Sequence, residues 1–320
     1  MNKNDKIYVA GHNGMVGSAI VRALNKECFF NIITAPKTEI DLRNEKMVKD
    51  FFKRERPDIV FLAAAKVGGI QANRQYPFEF LFDNLMIQNN IIKCCIDYYI
   101  ERLVFLGSSC IYPTNCPQPI KEEYLMTGPL EPTNEGYALA KISGLKLAQY
   151  SNFEFGLECL IPIPCNLYGV NDTFDPNKSH VMAALVKKFI DAADDNQKTV
   201  SVWGTGLARR EFMHVDDLAD ALIFLIKRWK SSDIINVGVG DDISIRDLAE
   251  LIAHKTHFTG SITWDTSMPD GMMKKCLDIS KLKSLGFSPK ISLEDGIDLL
   301  INDYRKLKKI QLGNVQGESI

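Results

Sequence analysis

Residues 6–10, KIYVA, form an apolar run that passes directly into GHNGMVG, placing Gly11, Gly14 and Gly17 at G-x-x-G-x-x-G spacing ahead of a helical pattern through Lys26. Few folds open that way. Glycines permit a tight turn, close backbone approach to a pyrophosphate and close helix packing, while the N–H groups and dipole at the helix start favour phosphate. A plain turn or a mononucleotide loop is the alternative. The strand-turn-helix setting favours a dinucleotide, with Gly11, Asn13, Gly14, Met15, Val16 and Gly17 as its candidate contacts.

The rhythm continues downstream. NIITA (31–35), DIVFLAAA (58–65), RLVFLGSS (102–109) and LECLIPIP (157–164) alternate with helical patterns over Asn44–Glu55, Pro77–Tyr99 and about 134–154. Short apolar runs separated by helices predict an α/β chain with a Rossmann-type, doubly wound parallel sheet whose strands are buried on both faces. Past residue 167 the regularity breaks into an Asn-, Asp- and Pro-rich loop, Val170–Ser179, before helices near 180–194, 215–229, 244–255 and 292–308. We therefore expect residues 1–169 to form mainly the nucleotide-binding domain and 170–320 mainly a smaller C-terminal α/β substrate-binding lobe. Strands such as TVSVWG or IINVG are expected to return to the main sheet or its edge, and the polar tail Gln311–Ile320 to be loosely ordered.

The composition excludes several classes. No apolar run approaches the roughly 18 to 20 residues of a membrane span, and MNKNDKIYVA contains no signal-peptide core, so a cytoplasmic protein without membrane association is expected. Eight cysteines without paired CxxC elements suggest reduced thiols and no metal. With 38 basic and 40 acidic residues the formal charge is −2, and the Lys-rich DYRKLKKI reads as a solvated helix face rather than a nucleic-acid patch.

The second strand ends Thr34-Ala35-Pro36-Lys37, with no carboxylate before Glu39 to take a ribose 2′-hydroxyl. Lys37 can instead meet a 2′-phosphate, which favours NADPH; otherwise it is a solvent-facing loop lysine. Asp41 and Leu42 stand where an adenine contact is expected, and Ala63, Ala64 and Ala65 end the next strand beside the cofactor's path.

Tyr137 and Lys141 are four residues apart and so share one helix face. A nearby ammonium is expected to lower the phenol's pKa and ready it as an acid toward a carbonyl oxygen. That pattern alone arises by chance. Ser108 and Ser109, ending RLVFLGSS, raise it, because a serine hydroxyl there can hydrogen-bond the same oxygen.

Together GHNGMVG, FLAAAKVGGI, FLGSSCIYP, EPTNEGYALAK, NLYG, SHVMAALVKKF, WGTGLARREFMHVDD and PDGMMKK resemble, in order over about residues 5 to 300, the GDP-L-fucose synthase family of extended short-chain dehydrogenase/reductases. The resemblance implies a homodimer that uses NADPH to epimerise C3 and C5 and reduce C4 of a GDP-linked 4-keto-6-deoxy sugar. It assigns Ser108, Tyr137 and Lys141 to reduction, and Cys110 and His180 to epimerisation. Tyr137, Lys141, Pro164, Asn166, Leu167 and His180 are expected beside the cofactor; Ser109, Cys110, Asn166, Lys188, Trp203, Arg210 and Lys275 beside the substrate. The chain departs from the family in having Asn13 where a basic residue is common, in the Arg-poor TAPKTE, and in Lys187-Lys188 where a diphosphate-binding arginine is usual. A lysine keeps the charge but loses the bidentate fork.

The chemistry has its own logic. A 4-keto group acidifies the C3 and C5 protons through the enolate, and inversion needs a base on one face and an acid on the other. Cys110, two residues beyond Ser108, can be the base, and His180, opening a helix, the acid. The plainer readings are a small buried cysteine and a helix-start histidine. His12, His214, His254 and His257 offer weaker contexts. Two rivals remain: a C4 reductase of another GDP-4-keto sugar, such as a 6-deoxyheptose, without epimerisation, and a non-catalytic nucleotide-sensing protein, whose usual mark is loss of the Tyr or Lys retained here.

Overall fold

The structure, a computed structural model, describes residues 1–175 and 179–317, with side chains through residue 310. Its elements follow from the patterns in the sequence. β1 (Ile7–Ala10) is buried at every position, and α1 (Met15–Lys26) turns Ala19, Ile20, Ala23 and Leu24 onto the sheet side. After β2 (Ile32–Ile33), α2 (Glu45–Glu55) starts where the Asn44 side chain accepts from Met47 N at 3.1 Å; it carries Glu45 in its first turn and Lys53 and Arg54 in its last. Those charges complement the helix dipole. β3 (Ile59–Leu62), α3 (Ile70–Gln75), α4 (Pro77–Asp97), β4 (Arg102–Phe105), α5 (Glu135–Phe155) and β5 (Glu158–Pro164) complete the first half.

The second half contains β6 (Asn166–Tyr168), α6 (Val181–Asp194), β7 (Thr199–Trp203), β8 (Arg209–Arg210), β9 (Phe212–His214), α7 (Val215–Arg228) and β10 (Ile234–Val237). Beyond them lie β11 (Ile243–Ser244), α8 (Ile245–Lys255), β12 (Ser261–Asp265), β13 (Lys274–Lys275), α9 (Ser280–Ser284) and α10 (Leu293–Gly317).

Six strands form one parallel sheet in the order β10-β5-β4-β3-β1-β2. From β1 the chain goes to β2 on one side and to β3 on the other. The carboxyl ends of β1 and β3 therefore flank the crevice where open α/β sheets bind nucleotides. Strands β1, β3 and β10 are buried throughout, as a sheet covered on both faces requires. IINV thus returns to the main sheet as its edge strand, whereas TVSVW pairs in parallel with β12 outside it.

A second apolar core gathers Val186, Phe189 and Ile190 of α6, Leu248 and Ile252 of α8, and Ile297 and Leu300 of α10. Around it lie short sheets: β6 beside β9, and β8 between antiparallel β11 and parallel β13. Helix α10 continues to Gly317, so most of the tail expected to be loose is helical backbone; residues 318–320 lie outside the described ones, as do 176–178 of the Val170–Ser179 loop. Among the described residues no helix is long and apolar enough to cross a membrane, and no metal-holding cluster of His, Cys, Asp or Glu occurs.

Candidate active site

The glycine turn closes against the end of β3. Gly11 has φ +84°, and a Cβ there would stand 2.7 Å from Ala64 N, while one at Gly17 would stand 2.1 Å from Gly11 O. Only hydrogen fits at either place. Gly14 caps α1 without any side chain, so no side-chain cap bond occupies the N–H groups of its first turn. From here a cleft of ≈1690 Å³ runs across the carboxyl edge of the sheet to the second core. Asn13, Met15, Val16, Lys37, Leu42, Ala63, Ala64 and Ala65 line its first end, and Pro164, Asn166 and Leu167 its floor. Asn166 is tied down, its Nδ2 donating to Glu211 O at 2.9 Å.

Asp41 is committed within the protein. Arg43 donates to it from Nε at 3.0 Å and Nη2 at 2.7 Å, which pulls its carboxyl down to about 2, and Arg43 also reaches Asp83 at 3.3 Å. The side chain expected at an adenine is thus an anchor for Arg43, a cleft cation that the sequence reading passed over. Its signal was the basic residue two positions after Asp41. Lys37 is exposed on the rim, near enough that its charge also lowers Asp41.

At the centre, β4 delivers Ser108, whose Oγ accepts from Cys110 N at 3.3 Å in a single 3₁₀ turn. Ser109, in that turn, borders the cleft but is only 4% exposed. The first two turns of α5 bring Tyr137 and Lys141 to the same place. Lys141 Nζ donates to Leu106 O at 2.8 Å and lies 5.9 Å from the Tyr137 ring centroid. Burial brings the Lys141 ammonium down to about 8.

Tyr137 departs from expectation. Its pKa is raised, first by burial and further by Cys110, with the hydrogen bond to Ser108 pulling partly the other way. The Lys141 cation is held by the Leu106 carbonyl, and the cost of a buried phenolate outweighs its attraction. The phenol accordingly keeps its proton, which is the form a proton donor needs.

The second core supplies the opposite wall. In the β8–β13 register Arg210 lies beside Lys275. Lys275 Nζ approaches Cys110 Sγ at 3.6 Å, and Asn134 Nδ2 approaches the same sulfur at 3.5 Å. Arg210 Nη2 donates to Asp270 O at 3.0 Å, which turns the guanidinium along the cleft. His180, at the N-cap of α6, makes no side-chain cap bond. Its imidazole is open toward the cleft yet ringed by protein elsewhere; that enclosure, and then the Lys275 charge, lower its pKa. Trp203 is 46% exposed at the cleft's far end; Lys188 Nζ sits 5.7 Å from its ring centroid while donating to Ser201 O at 3.0 Å.

Three further residues escaped the sequence reading. Asn134, three before Tyr137, contacts the sulfur. Glu211 is 0% exposed: Oε1 accepts from Val239 N and Gly240 N, each at 2.7 Å, and Oε2 from Leu277 N at 2.8 Å. It thereby ties the β8–β9 junction to the turn after β10 and to the segment after β13. Asp172, 9% exposed, accepts from Thr173 N at 2.7 Å but leaves Oδ2 without a hydrogen-bond partner among the described residues, and burial raises its carboxyl to about 7, Asp303 adding to the effect. His214 is itself the N-cap of α7, its Nδ1 accepting from Asp216 N at 3.2 Å.

Residues 7–238 match the model of the NAD dependent epimerase/dehydratase family. The chain is 48% identical over 305 residues to GDP-L-fucose synthase 1 of Arabidopsis thaliana, covering 95% of this chain and 94% of that one. Among solved structures it resembles a GDP-6-OMe-4-keto-L-xylo-heptose reductase from C. jejuni, with TM-score 0.90, 36% identity and coverage of 96% and 99%. It also resembles a GDP-mannoheptose C4 reductase from Campylobacter jejuni with NADP bound, with TM-score 0.87, 37% identity and coverage of 95% and 99%.

Proposed function

The chain belongs to the NAD dependent epimerase/dehydratase family, and on that premise we propose that it converts GDP-4-keto-6-deoxy-D-mannose to GDP-L-fucose, epimerising C3 and C5 and reducing C4 with NADPH. One observation carries the reading. Ser108, Cys110, Tyr137 and Lys141 from the sheet side, and His180, Arg210 and Lys275 from the opposite wall, line a single cleft.

The bare start of α1 and the two positions where only glycine fits suit a dinucleotide pyrophosphate, and Lys37 offers a cation for a 2′-phosphate. When bound, NADPH supplies the hydride of the reduction. The protein's part is proton management. Cys110 takes the proton from C3 or C5, the C–H electron pair moves onto the ketone oxygen as an enolate, and His180 returns a proton to the opposite face. Tyr137 protonates the C4 oxygen, Ser108 hydrogen-bonds it, and Arg210 and Lys275 hold the diphosphate's charge.

The similarity to heptose C4 reductases supports a second reading, in which C4 of another GDP-4-keto sugar is reduced without epimerisation. Cys110 and His180, both at the cleft, favour the first. Incubation with NADPH and GDP-4-keto-6-deoxy-D-mannose in deuterated water separates them. GDP-L-fucose labelled at C3 and C5 is the expected product; reduction with no deuterium at either carbon would replace the first reading with the second.

A further inference from the structure

An asparagine before a helix ordinarily turns its side-chain oxygen onto an N–H of the first turn. Asn134, the N-cap of α5, makes no such bond and has φ −138°, ψ 20°. Its Nδ2 is directed at Cys110 Sγ, 3.5 Å away, and its Oδ1 is buried without a hydrogen-bond partner among the described residues. The same sulfur receives Lys275 Nζ at 3.6 Å, while the Cys110 backbone N–H is fixed on Ser108 Oγ at 3.3 Å. A neutral thiol sulfur is a weak acceptor, so two N–H donors converging on one sulfur make an arrangement suited to a negative charge.

We propose that Asn134 is the positioning residue for the Cys110 sulfur: its carboxamide forgoes the helix cap to hold Sγ beside Lys275 and to solvate the charge the sulfur carries as a base. This rests on the reading of Cys110 as the base that removes the C3 and C5 protons. An amide suits the task, because it donates without bringing a charge of its own, whereas a carboxylate would repel the sulfur anion. Tyr137 lies three residues further along α5. One helix start therefore sets both the phenol that serves the ketone and the group that aims the thiol, which fixes their separation through a rigid element.

Asn134→Asp and Asn134→Ser test this, because both replacements are able helix caps and neither carries the N–H donor. The full-length wild type and both variants are treated with iodoacetamide and alkylation at Cys110 is followed by peptide mass spectrometry, which needs no substrate. Deuterium wash-in at C3 and C5 of GDP-4-keto-6-deoxy-D-mannose is measured in parallel, with kcat and KM separated, and NADPH fluorescence reports an intact cleft. Alkylation is expected to slow roughly 10-fold, and the kcat for wash-in to fall roughly 10- to 100-fold with KM nearly unchanged. Alkylation and wash-in at wild-type rates in both variants would reduce Asn134 to a cap and overturn the proposal. A raised KM at unchanged kcat would also overturn it, by making Asn134 a substrate ligand. If the wild type itself washes in no deuterium, the epimerase reading falls, and the alkylation ratio alone decides the role of Asn134.

Discussion

The Lys141 ammonium donates to the Leu106 carbonyl at 2.8 Å, which ties the cation of α5 to the end of β4. Lys141 is thereby a buried charge whose one hydrogen-bond partner among the described residues is neutral. Burial of that cation gives the fold a pH dependence of its own.

Lys141→Met should stabilise the fold near neutrality while disabling reduction. Burial lowers the Lys141 pKa to about 8 from 10.5. Below about 8 both folded and unfolded chains are protonated and the burial cost is complete. Between about 8 and 10.5 the unfolded chain binds the extra proton, so wild-type stability rises with pH through that window. The shift corresponds to about 3 kcal/mol, offset in the mutant by about 1 kcal/mol or more for the unpartnered Leu106 carbonyl. Urea melts should show the mutant's advantage at pH 7 shrinking by about 3 kcal/mol toward pH 10.5; a gap that stays flat would rule the mechanism out.

Tyr137→Phe removes the phenol proposed to donate the proton and none of the glycine turn. Ketone-dependent NADPH oxidation is expected to drop by about 10²- to 10⁴-fold, with NADPH affinity within about twofold of wild type. Steady-state kinetics and fluorescence titration measure the two. Turnover at the wild-type rate would remove Tyr137 from the reaction.

Lys37→Asp exchanges a cation on the rim for a ribose acceptor. The ratio of kcat/KM for NADPH to that for NADH should fall by about 10-fold or more. An unchanged ratio would mean that this lysine serves only solvent.

Asp172→Asn should help the fold above neutral pH and do little in acid. Burial raises the folded-state carboxyl to about 7 from 3.8, so the folded chain binds more protons between those values and wild-type stability falls as pH rises through them. The loss is complete above pH 7 and is at most about 4 kcal/mol. Asparagine keeps an oxygen for Thr173 N and carries no charge. Its advantage should be absent near pH 4 and largest at pH 8; the reverse order would show that the carboxylate is stabilised where it sits.

What the sequence reveals here is whatever is local. Gly11 and Gly17 follow a strand and open a helix, Ser108 ends a strand, and Tyr137 and Lys141 are one helical turn apart, so chain geometry alone brings each to the carboxyl edge of the sheet. The direction of the Tyr137 shift was not legible, because it depends on how much protein surrounds the phenol rather than on the spacing to Lys141. Nor was the approach of Lys275 to Cys110, which spans 165 positions and relies on β8 and β13, strands of two residues too short to show any alternation. Glu211 was hidden for a different reason. A glutamate between Arg210 and Phe212 looks like surface until three backbone N–H groups from distant segments converge on it.

Lys275 owes its place to its two C-terminal neighbours. Cys276 N donates to Gln118 Oε1 at 3.0 Å and Leu277 N to Glu211 Oε2 at 2.8 Å, while Ile120 N donates to Cys276 O at 2.8 Å. On its N-terminal side, Met268 to Met272 border the cleft and are pinned chiefly by Asp270, which holds Thr205. Met272, between Gly271 at φ +69° and Met273, whose carbonyl accepts from Arg209 N at 2.8 Å, can therefore change in bulk while the lysine stays moored from behind. The face that the cleft presents at Met272 can thus vary while the contact between Lys275 and Cys110 keeps its geometry.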